Sequence, residues 1–281
     1  MITKEATLYI ANEKKGIPSL LFPLIHQSLK SALSKSSQFY IALSGGSLPS
    51  LLNDLPESFQ SAGINPNWEK WHVILADERI VPLTDDDSNM KACQESFLDQ
   101  VPIPKTQIYG INESLIGSDV SKIASEYQSR IFPPSCKSLD QHHVDCVLLG
   151  FGPDGHTASL FPHHELLHEN ELLVAGIMNS PKPPPQRITL TMKVFNDMSQ
   201  DIIFVGAGDG KAPILDGIFS SIQEVKKDEG SRQCIVRMNK DNDSYPCGMI
   251  FPRKEGARLM YITDEDGAKD LSKKMVKTSV L

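Results

Sequence analysis

Residues 144–162 read VDCVLLGFGPDGHTASLFP. The run from Val144 to Leu149 is almost continuously apolar, the pattern of a strand buried on both faces. Glycines follow at positions 150, 152 and 155, where the backbone can turn sharply or approach a ligand closely. His156 comes next, ahead of a short apolar segment of helical character. A histidine at the carboxyl end of a buried strand stands where open α/β sheets bind their ligands.

Outward from this stretch, short apolar runs alternate with helical patterns along nearly the whole chain. Strands are predicted at Thr7–Ile10, Phe39–Ser44, His72–Asp77, Val144–Leu149, Leu172–Met178, Ile188–Thr191, Ile202–Gly206 and Leu259–Thr263. Helices are predicted at Ser19–Leu33, Ser88–Gln100, Asp119–Phe132, Ala212–Ile222 and Gly267–Met275. Such alternation predicts an α/β fold, a mostly parallel sheet with helices on both faces. No repeat, low-complexity segment or long linker divides the chain, so residues 1–281 read as a single domain. Lys226–Asp243 is polar and reads as a mobile surface loop.

The net charge of −7 over 281 residues argues against a nucleic-acid-binding face but leaves room for a local basic pocket. Apolar residues make up 40%, enough for a sizeable core. The five cysteines, Cys93, Cys136, Cys146, Cys234 and Cys247, are scattered and form no CxxC pair. Reduced thiols in a cytoplasmic protein fit better than a disulfide framework or zinc ribbon. No leader-like layout and no membrane-spanning run is seen, and Ser279-Val280-Leu281 is taken as no targeting signal.

Five further stretches stand out. Ser44-Gly45-Gly46-Ser47 follows a strand and precedes a helical pattern, so its N–H groups and hydroxyls offer a phosphate cradle; the bland alternative is a serine-capped turn. Asp77-Glu78-Arg79 ends another strand. Arg79 can clamp a phosphate through two parallel hydrogen bonds, with Asp77 and Glu78 orienting it or meeting sugar hydroxyls; a solvated ion pair is the alternative. Asp85-Asp86-Asp87-Ser88-Asn89 reads as a loop capping the next helix. Lys182 sits in the proline-stiffened Ser180–Pro185 loop and Arg187 at the start of a strand. Lys211, in an imperfect P-loop, can reach an anion or open a helix.

Competing motifs fall short. Ser44, Asp77 and His156 follow the order of an α/β-hydrolase triad, but Ala42 replaces the first glycine of the nucleophile elbow. Gly150, Gly152 and Gly155 match the dinucleotide fingerprint, yet Pro153 and His156 fall where its helix should begin. His164-Glu165-Leu166-Leu167-His168 matches the zincin string without the long helix or third ligand that zinc chemistry needs.

Taken together, SGGS (44–47), WHVILADER (71–79), DDDSN (85–89), LLGFGPDGHTASLFP (148–162), SPKPPPQRITLT (180–191) and GDGKAPIL (208–215) resemble the 6-phosphogluconolactonases, particularly eukaryotic ones. The resemblance runs in order over most of the chain. It implies a Rossmann-like parallel sheet and hydrolysis of 6-phospho-D-glucono-1,5-lactone to 6-phosphogluconate, in the oxidative pentose phosphate pathway, without cofactor or metal. Carried over by motif, His156 is the base with Asp154 beside it. Arg79, Lys182 and the SGGS loop (Ser44, Gly45, Gly46, Ser47) contact substrate, joined by Asp77, Gly152 and Arg187. A monomer acting on a small phosphorylated sugar lactone, with no nucleic-acid or membrane partner, is expected. The related glucosamine-6-phosphate deaminases follow their histidine with an Asn-Glu-Pro string; Ser159-Leu160-Phe161-Pro162 stands here instead, which favours the lactonase. A sugar-phosphate deaminase or isomerase and a non-catalytic sugar-phosphate sensor remain the alternatives.

Overall fold

The computed structural model describes residues 3–133, 143–220, 222–227, 233–239 and 245–278. The first half holds β1 (Thr3–Ala11), α1 (Ile17–Lys35), β2 (Phe39–Leu43), α2 (Leu55–Ser61), β3 (Trp71–Leu75), β4 (Asp77–Arg79), α3 (Asn89–Ser96), β5 (Ile108–Tyr109) and α4 (Val120–Ile131). The second holds β6 (Val144–Leu149), β7 (Val174–Ile177), β8 (Arg187–Leu190), β9 (Ser199–Val205), α5 (Ala212–Ile218), β10 (Ile222–Lys227), β11 (Gln233–Asn239), α6 (Pro246–Met249), β12 (Arg258–Asp264) and α7 (Glu265–Thr278). No helix among the described residues is long and apolar enough to cross a membrane.

Seven strands run parallel in the order β1-β12-β9-β6-β2-β3-β5. Alternate residues of each strand face opposite sides. Ile41, Leu43, Val73, Leu75 and Leu148 pack against Leu21, Ile25 and Leu29 of α1, with α2 and α3 alongside. Ala42, Ile74, Val147 and Leu149 pack on the other side with Ile123 and Tyr127 of α4 and Leu215 of α5, joined by Leu271 of α7. This is the Rossmann-like architecture, with helices on both faces. Burial on two sides is why the strands read as apolar runs.

The winding direction positions the site. From β2 the chain proceeds outward through β3 to β5, then returns to β6 on the other side of β2 and continues through β9 to β12. The carboxyl ends of β2 and β6 therefore lie side by side where the winding reverses, in register at Ile41–Cys146 through Leu43–Leu148. A crevice forms at such a reversal because the two crossovers leave on opposite faces.

Four expectations change. The run His72–Asp77 is two strands, not one. Ala76 is the pivot: its N–H donates to the Leu43 carbonyl at 2.8 Å, and its carbonyl accepts from the Leu190 N–H at 2.8 Å. The chain thereby leaves the main sheet and enters a second, antiparallel sheet, β4-β8-β7, which also takes the two strands expected at 172–178 and 188–191. Lys226–Asp243 is not simply loop: β10 and β11 form an antiparallel hairpin beside β1, with 228–232 and 240–243 outside the described residues. The segment after His156 is not helical, since Thr157 and Leu160 close a tight bridge instead. The helix expected to reach Ile222 ends at Ile218. Cys93, Cys146 and Cys247 are buried thiols, while Cys136 and Ser279–Leu281 lie outside the described residues.

Candidate functional site

The cleft opens at the winding reversal. The loop after β2 forms one wall with Ser44, Gly45, Gly46 and Ser47. The turn after β6 forms another with Gly150, Phe151, Gly152 and His156. From the small sheet come Asp77, Arg79 and Arg187, and from the turn before α5 comes Lys211. Three cationic side chains thus converge in one pocket of a chain whose net charge is −7, the local basic focus that draws an anion.

The Gly150–His156 turn is held by its own backbone. The Gly152 N–H donates to the His156 carbonyl at 2.8 Å and the Gly155 N–H to the Gly152 carbonyl at 3.0 Å. Gly155 has φ 79°, a left-handed conformation that costs a residue with a Cβ. Gly152 is forced by close approach: a methyl group there would lie 2.1 Å from His156 Nδ1. The imidazole stacks on Phe161, with centroids 5.0 Å apart. Its Nδ1 is hydrogen-bonded to Asp154 Oδ1. The Asp154 carboxylate can only accept, so Nδ1 carries the proton and Nε2 the lone pair.

Burial lowers the His156 pKa below its usual 6.5, and the Lys182 ammonium, 3.1 Å from Nδ1, pushes the same way; Asp154 opposes both. The resting imidazole is therefore neutral near pH 7. For Asp154, burial pushes upward, but the hydrogen bond and charge of His156, together with Lys182, hold its pKa below the ordinary carboxylate value. Asp154 and Lys182 flank the imidazole without forming part of the cleft wall, with Lys182 Nζ 3.5 Å from Asp154 Oδ1.

The arginines differ. Arg79 and Arg187 face each other in the β4–β8 pair. Arg187 is 3% exposed, and its fork is directed at its own loop: Nε to the Pro184 carbonyl at 3.0 Å, and Nη2 to those of Lys182 and Pro183 at 3.0 and 2.9 Å. Burial, then the Arg79 charge, lower its pKa. Arg79 donates from Nη1 to the Asp87 carbonyl at 2.6 Å, but its buried Nε has no acceptor among the described residues. Lys211 Nζ rests on the Phe151 carbonyl and above that ring; burial and then Lys182 lower its pKa.

The remaining expectations sort by contact. Asp77 lines the cleft but does not orient His156, so no triad forms with Ser44. Its Oδ2 accepts from Ser159 Oγ at 2.7 Å, and its carbonyl from Asn89 Nδ2 at 2.8 Å. Glu78 meets no sugar-facing space: fully buried, it accepts from the N–H groups of Arg79, Asn89 and Met90 and from Ser88 Oγ. It anchors the start of α3, whose N-cap is Ser88. Ser47 leads into a single 3₁₀ turn, Pro49–Leu52, rather than a long helix, and the Ser44 N–H is taken by the Leu148 carbonyl at 3.0 Å. His164 caps another 3₁₀ turn of four residues, its Nδ1 accepting from the Leu166 N–H at 3.2 Å. No group of three or more metal-ligating side chains is close enough to hold an ion among the described residues.

Sequence reasoning missed Asn89. It reads as a cap residue, but its side chain turns back along the cleft wall, and a methyl at Gly45 would fall 1.8 Å from its Oδ1. Only the glycine at position 45 hinted at so close a neighbour.

Residues 15–255 match the family described as glucosamine-6-phosphate isomerases/6-phosphogluconolactonase. The chain is 41% identical over 220 residues to 6-phosphogluconolactonase 3 of Saccharomyces cerevisiae, covering 76% of this chain and 84% of the yeast protein. It is 37% identical over 264 residues to the 6-phosphogluconolactonase of Rattus norvegicus, covering 93% and 92%. Among solved structures, the 6-phosphogluconolactonase of Trypanosoma brucei superposes with a TM-score of 0.72 at 21% identity, over 95% of this chain and 99% of that one. A monomeric glucosamine-6-phosphate deaminase gives 0.68 at 12%, so the fold itself is shared more widely. With a match over most of its length and such relatives, this chain belongs to the glucosamine-6-phosphate isomerase/6-phosphogluconolactonase family.

Proposed function

We propose that the protein hydrolyses 6-phospho-D-glucono-1,5-lactone to 6-phospho-D-gluconate, the lactone-opening step of the oxidative pentose phosphate pathway. The observation that carries this is a neutral, carboxylate-oriented imidazole at one side of a cleft whose other walls supply cations and the glycine- and serine-lined loop 44–47. The relatives named as 6-phosphogluconolactonases support the same substrate.

In this reading the phosphate sits against the Ser44–Ser47 loop, Arg79 and Lys211. Arg79, which lines the cleft, would present its guanidinium to the phosphate oxygens. The anchored substrate presents C1 to His156, an orientation effect that makes the reaction effectively unimolecular. Nε2 takes a proton from water as its oxygen bonds to C1. The C1–ring-oxygen bond then breaks, and the imidazolium returns the proton to the departing oxygen, giving the acid and a free hydroxyl. Asp154 holds the tautomer and steadies the transient cation. General-base help of this kind is worth about 10²–10⁴-fold. Action as a monomer in the cytoplasm is part of this reading.

The test is a coupled assay of lactone opening with a chelator present, read against the spontaneous rate, beside glucosamine-6-phosphate as a second substrate. Acceleration of the lactone alone is expected. No acceleration together with tight 6-phosphogluconate binding would make the protein a sensor, and ammonia release would make it a deaminase.

A further inference from the structure

Gly155 precedes the imidazole and Gly217 lies in α5, yet one aromatic ring fills the space between them. A methyl at Gly155 would lie 2.4 Å from Tyr245 Cδ1, and a methyl at Gly217 would lie 2.4 Å from Tyr245 Cε2. Opposite edges of the Tyr245 ring thus press on two backbones, and neither position has room for a side chain. The same segment grips Gly155 a second way, because the Cys247 N–H donates to the Gly155 carbonyl at 3.0 Å. Cys247 is fully buried. The turn bearing His156 is therefore braced from α5 through a ring and from α6 through a backbone hydrogen bond.

We propose that Tyr245 is a positioning residue, whose ring, wedged between Gly217 and Gly155, fixes the turn that presents His156 to the substrate. The proposal rests on the lactonase reading above. A base displaced by about 1 Å can lose on the order of 10²-fold in rate while the binding groups stay in place. Of the phosphate-facing groups, Arg79 and the Ser44–Ser47 loop belong to other elements and Lys211 stands at the opposite end of α5 from Gly217, so the effect falls on kcat far more than on KM. The wedge requires the ring and not the hydroxyl.

Four variants test this by steady-state kinetics on folded protein, with melting temperatures recorded. Tyr245→Phe retains wild-type kcat and KM. Tyr245→Ala lowers kcat by about tenfold or more, with KM within about twofold. Gly217→Ala keeps the ring but drives it toward Gly155; alanine is the better helix former, so loss of fold is not the expected cause. It too lowers kcat with KM unchanged, and combined with Tyr245→Ala it adds no further loss, because the transmitting ring is gone. Wild-type kcat in both single alanine variants, a change in KM alone, a Phe variant as impaired as Ala, or additive losses would each overturn the proposal. A wild-type protein that does not speed lactone opening overturns the lactonase reading by itself. The brace is then read from the His156 imidazole NMR signals, which Tyr245→Ala must shift and Tyr245→Phe must not.

Discussion

Arg187 lies directly opposite Arg79 in the antiparallel β4–β8 pair, and the two guanidiniums are held differently. Arg187 is buried against three carbonyls of the loop that carries Lys182, whereas Arg79 lines the cleft with one bond to the Asp87 carbonyl and a buried Nε that has no partner among the described residues. Arg79→Ala is expected to raise KM for the lactone with kcat less affected. Arg187→Lys, which cannot reproduce the fork, is expected to cost about 1–3 kcal/mol of stability as well. Paired melting curves and Michaelis plots separate the two; an unchanged KM in Arg79→Ala removes that residue from phosphate binding.

His156→Ala is expected to lower kcat by about 10²–10⁴-fold while the fold and 6-phosphogluconate binding persist. Asp154→Asn keeps the size of the side chain but no longer fixes the tautomer, and a loss of about tenfold or more in kcat is expected. Calorimetric binding of the product checks that the cleft survives. Wild-type turnover in the histidine variant rejects it as the base.

The pH dependence follows from the sign of the His156 shift. Burial and Lys182 lower its pKa, so the base form persists below the ordinary value of 6.5. Plotted against pH, kcat should stay level down to that value and fall only at lower pH, after subtraction of the spontaneous rate. A midpoint above 6.5 would contradict the neutral resting imidazole.

No hydrogen bond joins Ser44 to His156 among the described residues, and Asp77 is engaged by Ser159 and Asn89. Ser44→Ala should therefore retain appreciable turnover, with any loss appearing in KM. A trapped acyl-enzyme detected by mass spectrometry in the wild type, and absent in the variant, would restore serine as nucleophile.

Glu78 is the anchor of α3, and burial raises its pKa against the four hydrogen bonds it accepts. Glu78→Ala leaves three backbone N–H groups without that acceptor, each unmet donor costing about 1–3 kcal/mol. A large drop in melting temperature is expected. A melting curve superposable on the wild type would show that these donors find other partners.

The legible parts of the fold were those where burial on two faces dictates composition. β6 falls at Val144–Leu149, as its apolar run predicts, because both sides of that strand pack on helices. The departure at Ala76 was not legible: no glycine or proline marks it, and the cause is hydrogen bonding to Leu43 and Leu190, residues far away in sequence. Lys226–Asp243 read as loop because its many charged and amide residues hide the short run Cys234-Ile235-Val236, and the strands there form by pairing alongside β1. Within the cleft, the glycines and the histidine announced themselves by spacing. The turned-back side chain of Asn89 and the inward-facing fork of Arg187 depend on tertiary contacts that a linear pattern does not carry.

The hairpin has a protective consequence. Its second strand pairs with β1 from Thr3 to Tyr9 and occupies hydrogen-bonding groups that would otherwise form an open edge. An edge of that length is a template for strand addition by another molecule, the usual start of aggregation. The hairpin thus moves the free edge of the sheet from β1 to β10, a shorter strand whose sequence, IQEVKK, carries the charges that discourage such addition.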